Sequence, residues 1–178
     1  PEQYGLQTEK SSPVPRRASG RSRPIPIQGA FELTPRCNFH CRMCYVRLDP
    51  DEIPARGREL SASEWIRLGE QAVDAETLSL TITGGEPLMH PQFPEIYEAL
   101  TEMGFFITLQ TNLSLLDGKL MDLIAERPPR AVKSTLYGAT EETYEKVCGV
   151  KNGLQMVRRG IENVKHAKIP LVLVSTVI

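Results

Sequence analysis

The chain has 178 residues, of which 40% are hydrophobic, and its 21 Lys and Arg against 22 Asp and Glu leave a formal net charge of −1. This composition supplies one sizeable core and excludes a wholly disordered, collagen-like or disulfide-scaffold protein, while the charge balance excludes a globally basic nucleic-acid-binding protein. The sequence contains neither a run of about 18 apolar residues nor a basic-then-apolar signal segment. We therefore expect a cytoplasmic protein that binds neither membranes nor nucleic acid.

The first 28 residues are predicted to form an extended arm or linker. They hold five prolines among Ser, Arg and Gly, with few apolar side chains. Such a composition favours an extended chain over a packed core. Residues 29–178 are predicted to form one folded core.

Five predicted strands alternate with helical segments through this core. The strands are Phe31–Thr34, Leu78–Thr83, Phe105–Thr111, Ala131–Leu136 and Pro170–Ile178. The helical segments are one that begins at Ser61 or Ser63, one with Pro94 in its first turn and its end at Gly104, then Leu116–Glu126, Thr140–Val147 and Leu154–Lys168. Alternation at this spacing predicts an α/β fold with a parallel sheet and right-handed crossovers.

Three of the four cysteines, Cys37, Cys41 and Cys44, lie within eight residues in the loop after the first predicted strand. Cysteines this close together in a cytoplasmic chain are typical of metal ligands rather than disulfide partners. The loop lies at the carboxyl edge of a parallel sheet, where functional sites collect. The residues fit either a zinc site completed by Cys148 or His40, or an iron–sulfur cluster with one open iron.

A second motif, Gly84-Gly85-Glu86, ends the second predicted strand. Two glycines after a strand are most simply a turn. This turn, however, would lie at the same sheet edge as the cysteine loop. There glycine lets the backbone approach a ligand closely, and a carboxylate suits a cationic amine.

The two motifs together resemble a known family. Cys37-x3-Cys41-x2-Cys44 after a first strand resembles the signature of the radical S-adenosylmethionine (SAM) enzymes, and Gly84-Gly85-Glu86 resembles their GGE motif. The segments 34–41 and Cys44-Tyr45 are similar to the branch that often carries SPASM or twitch extensions and includes peptide-modifying maturases. The resemblance implies a partial (β/α) TIM-like barrel with about five of six strands present, cut after the fifth.

The resemblance also implies the chemistry of the site. Cys37, Cys41 and Cys44 would hold a 4Fe–4S cluster whose open iron binds SAM, reduced by a donor such as flavodoxin or ferredoxin. Reductive cleavage of SAM would give a 5′-deoxyadenosyl radical that abstracts hydrogen from the substrate. The implied SAM-binding residues are Gly84, Gly85 and Glu86 at the methionine ammonium, Asn112 on the site rim, Ser134 toward the carboxylate or ribose, and Met43 near the adenine.

Two other groups of residues are predicted to lie outside this chemistry. Cys148 is interpreted as a half-buried helix cysteine rather than a ligand. His40, His90 and His166 have no carboxylate or nucleophile partner evident in the sequence, so each is predicted to be a satisfied or solvated histidine.

The substrate follows from the branch resemblance alone. We expect a ribosomally made peptide, with a cofactor precursor or another small molecule as the alternative. The rival hypotheses are a non-catalytic zinc or iron–sulfur binding module and an inactive core fragment.

Overall fold

The computed structural model describes residues 24–175, so residues 1–23 of the predicted arm lie outside the described residues. A single sheet runs through these residues in the order β1-β2-β3-β4-β5, and every neighbouring pair is parallel. The strands are β1 Gln28–Glu32, β2 Ser79–Thr83, β3 Phe106–Gln110, β4 Ala131–Leu136 and β5 Leu171–Ser175. The predicted fold class, a partial parallel barrel, is confirmed.

Helices connect successive strands as predicted. They are α1 Ile53–Arg56, α2 Ala62–Asp74, α3 Phe93–Glu102, α4 Gly118–Glu126, α5 Glu141–Cys148 and α6 Gly153–His166, with a 3-10 turn at Pro87–Met89. Helix α2 begins with the capping box formed by Ser61 and Glu64, and Thr140 caps α5 by accepting a hydrogen bond from the Thr143 N–H. In the described part of the chain, no helix combines the length and apolar character that crossing a membrane requires.

Several element boundaries differ from the prediction by one to three residues, and residues 176–178 of the predicted fifth strand lie outside the described residues. The first strand begins at Gln28 instead of Phe31, because Gln28 and the residues after it pair with β2 although few of them are apolar. Helix α4 begins at Gly118 instead of Leu116, because the Leu116 side chain is buried in the core and Asp117 takes the N-cap position. The one-turn helix α1 lies between the cysteine loop and α2, where no helix was predicted.

The sheet has one face packed against the helices and one open face. The packed face carries buried apolar side chains, namely Leu80, Ile82, Ile107, Leu109 and Val132. Side chains alternate between the two faces along each strand, so the intervening residues form the open face. On β1 to β4 toward the carboxyl edge these are Ala30, Glu32, Thr81, Thr83, Thr108, Gln110, Lys133 and Thr135. The open face is therefore lined mainly by small and polar side chains.

Helix α6 is in direct contact with the backbone that follows β3. Leu113 is buried there with a φ of 70°, a left-handed conformation that ordinarily favours glycine. A Cβ added at Gly160 of α6 would lie 2.2 Å from the Leu113 carbonyl oxygen. The absence of a side chain at Gly160 thus permits this approach.

We expect Gly160→Ala to lower the free energy of unfolding by about 2 kcal/mol or more, because the new methyl group meets backbone that cannot move freely. The same change inside an unconstrained helix raises stability by roughly 0.5–1 kcal/mol. Urea unfolding measures the difference. The exposed control Glu162→Ala on the same helix should stay within about 0.5 kcal/mol of the wild type. An unchanged or more stable Gly160→Ala protein would contradict the contact.

Candidate active site

The cysteine loop, the turn after β2 and the end of β3 meet at the carboxyl edge of the sheet, around a cavity of about 470 Å³. This volume falls within the roughly 300–1,000 Å³ that is typical of small-molecule sites. Eight of the nine predicted site residues line the cavity: Cys37, Cys41, Met43, Cys44, Gly84, Gly85, Asn112 and Ser134. Glu86 is the predicted residue that does not.

The cysteine loop is fixed on the carboxyl end of α5. The His40 N–H donates to the Cys148 carbonyl at 2.7 Å, and the Arg42 N–H donates to the Val147 carbonyl at 3.0 Å. The last carbonyls of a helix lack intrahelical partners, so the loop satisfies groups that would otherwise be unpaired. Gly149 ends the helix with a φ of 64°, and a Cβ there would lie 3.0 Å from the His40 Cβ. Both bonds flank Cys41 and hold it against α5.

The cysteine sulfurs accept hydrogen bonds from the surrounding chain. Cys37 Sγ accepts from the Phe39 N–H at 3.4 Å and from Asn112 Nδ2 at 3.7 Å, and Cys44 Sγ accepts from the Arg47 N–H at 3.3 Å. Burial raises the pKa of the Cys37 thiol to about 11. Hydrogen bonds to sulfur of this kind tune the ligands of iron–sulfur clusters.

Cys148 is fully buried rather than half-buried, since its side chain packs in the core. Its thiol is the hydrogen-bond partner of Cys41, and this bond lowers the pKa of Cys41. Cys148 does not line the cavity. Cys148 therefore lies next to Cys41, on the side of the cysteine loop that faces away from the cavity.

The three loop cysteines fit a cluster in their chemistry. They offer three soft sulfur donors at one open cavity, and the fourth cysteine is buried outside it. Within residues 24–175, however, no three Cys, His, Asp or Glu side chains are already gathered closely enough to hold a metal ion. The structure thus brings the thiols to a common cavity without converging them on one point.

The turn after β2 fits closely onto the segment that precedes Cys37. The Gly85 N–H donates to the Thr34 carbonyl and the Glu86 N–H to the Arg36 carbonyl, each at 2.7 Å. A Cβ at Gly84 would lie 2.5 Å from the Thr34 oxygen, and one at Gly85 would lie 2.4 Å from the Arg36 oxygen. Both glycines are therefore needed for backbone packing inside the protein, besides lining the cavity.

Glu86 is buried with its carboxylate occupied by protein donors. It accepts from the Leu88 N–H at 3.2 Å, from Thr111 Oγ1 at 2.8 Å and from the Asn112 N–H at 2.7 Å. Burial outweighs these donors and raises the pKa of Glu86 to about 7. In this structure Glu86 ties the turn after β2 to the end of β3, and its contact with a methionine ammonium stays a prediction.

Asn112 connects the end of β3 to the cysteine loop. Its Nδ2 donates to Asn38 Oδ1 at 2.9 Å as well as to Cys37 Sγ, and its Oδ1 accepts from the Ser114 N–H at 2.9 Å. Asn38 Nδ2 donates in turn to Ser114 Oγ at 2.8 Å. The sequence motifs did not identify Asn38 and Ser114, because this network forms only when distant segments are brought together.

Ser134 and His90 are both buried, with different consequences. Ser134 lies on the packed face with Val132, and its buried Oγ has no partner among the described residues, so its contact with SAM stays a prediction. His90 is satisfied as predicted: the Gln92 N–H donates to its Nδ1 at 3.2 Å, and its Nε2 lies 3.0 Å from the Leu60 carbonyl. Ser134 thus keeps a buried hydroxyl without a partner among the described residues, whereas the ring nitrogens of His90 are both satisfied.

Comparison with known proteins identifies the family. The model of the Radical SAM superfamily matches residues 31–178, so the chain belongs to this superfamily and the resemblance in its motifs is confirmed. The PqqA peptide cyclase of Granulibacter bethesdensis is 26% identical over 142 residues, which are 80% of this chain and 37% of that protein. The PqqA peptide cyclase of Ruegeria pomeroyi is 29% identical over 150 residues, 84% of this chain and 39% of that protein. The chain thus spans less than half the length of these relatives.

Solved structures show the same fold. SuiB of Streptococcus suis bound to its precursor peptide SuiA aligns with a TM-score of 0.64 at 17% identity, over 85% of this chain and 39% of that one. SuiB bound to S-adenosylmethionine aligns with a TM-score of 0.59 at 17% identity, over the same shares of the two chains. The partial barrel of this chain is therefore of the radical SAM type.

The close fit at Gly84 predicts a steric penalty beyond backbone strain. Gly84 and Gly57 have similar left-handed φ values of 139° and 127°, but a Cβ at Gly57 meets nothing within 4 Å. We expect Gly84→Ala to lower the free energy of unfolding by about 2 kcal/mol more than Gly57→Ala does. Denaturant unfolding of both variants measures this difference, and equal losses would argue against the packing role.

The buried Glu86 carboxyl predicts a pH-dependent stability. Its pKa is about 7 in the folded chain against an ordinary value of 4.5, so the folded state binds the proton more tightly. The stabilising contribution is complete below pH 4.5 and is lost as the pH rises through 7. Relative to Glu86→Gln, the wild type should lose about 2–3 kcal/mol between about pH 5 and about pH 8.

Unfolding of the metal-free protein at several pH values checks this prediction. Glu98→Gln is the matched control, because Glu98 is exposed on α3 and should give a flat difference. A wild type that gains stability relative to Glu86→Gln as the pH rises would show that the three donors outweigh burial.

Proposed function

We propose that this chain is the catalytic core of a radical SAM enzyme that modifies a peptide. The observation that carries the proposal is the meeting of three thiols and two cavity-lining glycines around one cavity at the carboxyl edge of the sheet. When bound, a 4Fe–4S cluster with SAM supplies a 5′-deoxyadenosyl radical by reductive cleavage of SAM.

The chain's own residues would divide the work of holding this cofactor. Cys37, Cys41 and Cys44 would ligate three irons and leave the fourth free for SAM, since Cys148 is buried behind the loop. Hydrogen bonds to Cys37 and Cys44 stabilise the thiolates that ligation requires. The α5 carbonyls and Asn112 hold the loop in place.

The SAM contacts would come from other residues that line the cavity. Gly84 and Gly85 line it with backbone, and Ser134 lines it too, although its buried Oγ would have to turn toward the cavity to meet a SAM carboxylate or ribose oxygen. Met43, about 43% exposed at the cavity, offers an apolar contact for the adenine. Glu86 would act indirectly while its carboxylate keeps its three protein donors. It would contact SAM directly where the methionine ammonium displaces one of these donors.

A peptide substrate is supported by the kinship with proteins named PqqA peptide cyclase and by the fold shared with SuiB, which binds its precursor peptide. Next to the cavity the open face carries the small and polar side chains of β1 to β3, which an extended substrate would contact beside the cofactor.

The proposal is tested by anaerobic reconstitution with iron and sulfide, followed by dithionite and SAM. We expect a brown protein that forms 5′-deoxyadenosine, because the three-cysteine loop leaves one iron open to SAM. Replacement of Cys37, Cys41 or Cys44 by serine should reduce iron content and 5′-deoxyadenosine to background. Cys148→Ala is the matched control and should keep its iron, since Cys148 does not line the cavity.

Each alternative has its own outcome in this experiment. A colourless protein with one zinc per chain would establish a zinc-binding module. A cluster without 5′-deoxyadenosine would point to a structural cluster or an inactive core. Loss of the metal from Cys148→Ala would make Cys148 a fourth ligand and close the site to SAM.

A further inference from the structure

The open face carries a row of polar side chains next to the cofactor cavity. Strand register places Glu32 beside Thr83 and Gln110 beside Lys133, and the pairing of β2 with β3 brings Thr83 next to Gln110. Glu32, Thr83 and Gln110 line the cavity, whereas Lys133 lies just outside it. The row therefore leads from the cofactor cavity toward β5.

The row carries a single charged side chain at each of its two ends. The five strands contain one basic residue, Lys133, and one acidic residue, Glu32. Neighbouring strands are about 4.8 Å apart, so these two residues, three strands apart, are separated by about 14 Å and cannot form a direct ion pair. Neither has an ion-pair partner among residues 24–175.

Neither packing in the core nor an ion pair within residues 24–175 accounts for Lys133 on this strand. It is exposed between buried Val132 and Ser134, and its neighbour on β5 is Val172, which offers no counter-charge. Lysine is depleted in strands, and a lysine on the open face adds nothing to the packed core. An ammonium flanked by a carboxamide and an apolar side chain is suited to an anionic ligand.

We propose that Lys133, with Gln110 beside it, binds a carboxylate of the substrate, so that the enzyme selects a peptide with a carboxylate close to the reacting residue. This inference rests on the proposed function. The ammonium and the carboxamide N–H both donate to the carboxylate oxygens. Glu32 at the other end of the row repels the same group and thereby sets the direction in which the substrate lies.

The carboxylate belongs to the substrate rather than to SAM, because Lys133 is not among the residues that line the cofactor cavity. It can come from an acidic side chain or from the carboxyl terminus of a peptide. Both sources present the same anionic group, and the experiment separates them.

The test titrates the reconstituted, SAM-loaded protein with three tripeptides. They are acetyl-Gly-Glu-Gly-amide, acetyl-Gly-Gln-Gly-amide and acetyl-Gly-Gly-Gly with a free carboxyl terminus. Ligand-observed NMR gives the Kd of each. We expect the wild type to prefer a carboxylate-bearing peptide over the glutamine peptide, and the Glu peptide and the free-terminus peptide report the two sources separately.

Variants attribute the preference to Lys133. Lys133→Gln should weaken the preferred peptide about tenfold, as expected for loss of a charge-assisted hydrogen bond, and leave the glutamine peptide unchanged. Lys133→Arg should restore most of the affinity, which a purely structural residue would not require. Lys119→Gln, an exposed site on α4, is the matched control and should match the wild type.

The outcomes distinguish this inference from the proposed function. Equal affinity for all three peptides in the wild type, or a preference retained by Lys133→Gln, would overturn the inference. Formation of 5′-deoxyadenosine by the wild type without any peptide tests the proposed function alone. A Lys133-dependent carboxylate preference in a protein that fails that assay would leave a carboxylate site on an inactive core.

Discussion

Two backbone hydrogen bonds, from the Gly85 N–H to the Thr34 carbonyl and from the Glu86 N–H to the Arg36 carbonyl, join the turn after β2 to the segment before Cys37. Neither glycine has room for a side chain, so the two segments meet main chain to main chain. The start of the cysteine loop is positioned by this contact, and its far side is positioned by the carbonyls of α5. The site therefore depends on rigid backbone more than on long side chains.

Much of the fold and of the site is predictable because it is written in local patterns. The alternation of strands and helices gave the parallel sheet, and the cysteine spacing with the glycine pair gave the cavity edge that they share. What sequence could not reveal is carried by backbone carbonyls, which have no signature in the sequence. The hydrogen bonds from the His40 and Arg42 N–H groups to the last carbonyls of α5 are an example.

The sequence also could not predict the position of side chains whose hydrogen-bond partners come from distant segments. Glu86 was predicted to contact the methionine ammonium of SAM. In the structure its carboxylate accepts hydrogen bonds from three protein donors, because the end of β3 packs against it. Ser134 was predicted to lie toward the SAM carboxylate or ribose, and the structure places it on the packed face with Val132, where its Oγ is buried. Strand alternation places Ser134 and Lys133 on opposite faces of the sheet. The sequence alone, however, does not show which of the two faces packs against the helices.

The cysteine loop and the open face of the sheet are therefore under different physical constraints. Residues that hold the cofactor loop are fixed by glycine packing and main-chain hydrogen bonds, where almost any added atom collides with backbone. Residues of the open face, such as Glu32 and Lys133, are not packed into the core and bear no such restriction. On the proposal made above, we expect a change in their charge to alter which substrate lies beside the cofactor without disturbing the cysteine loop. On the proposed function, the residues for cofactor binding and those for substrate selection would therefore be neighbours in space, while a substitution in one set would leave the stability of the other unchanged.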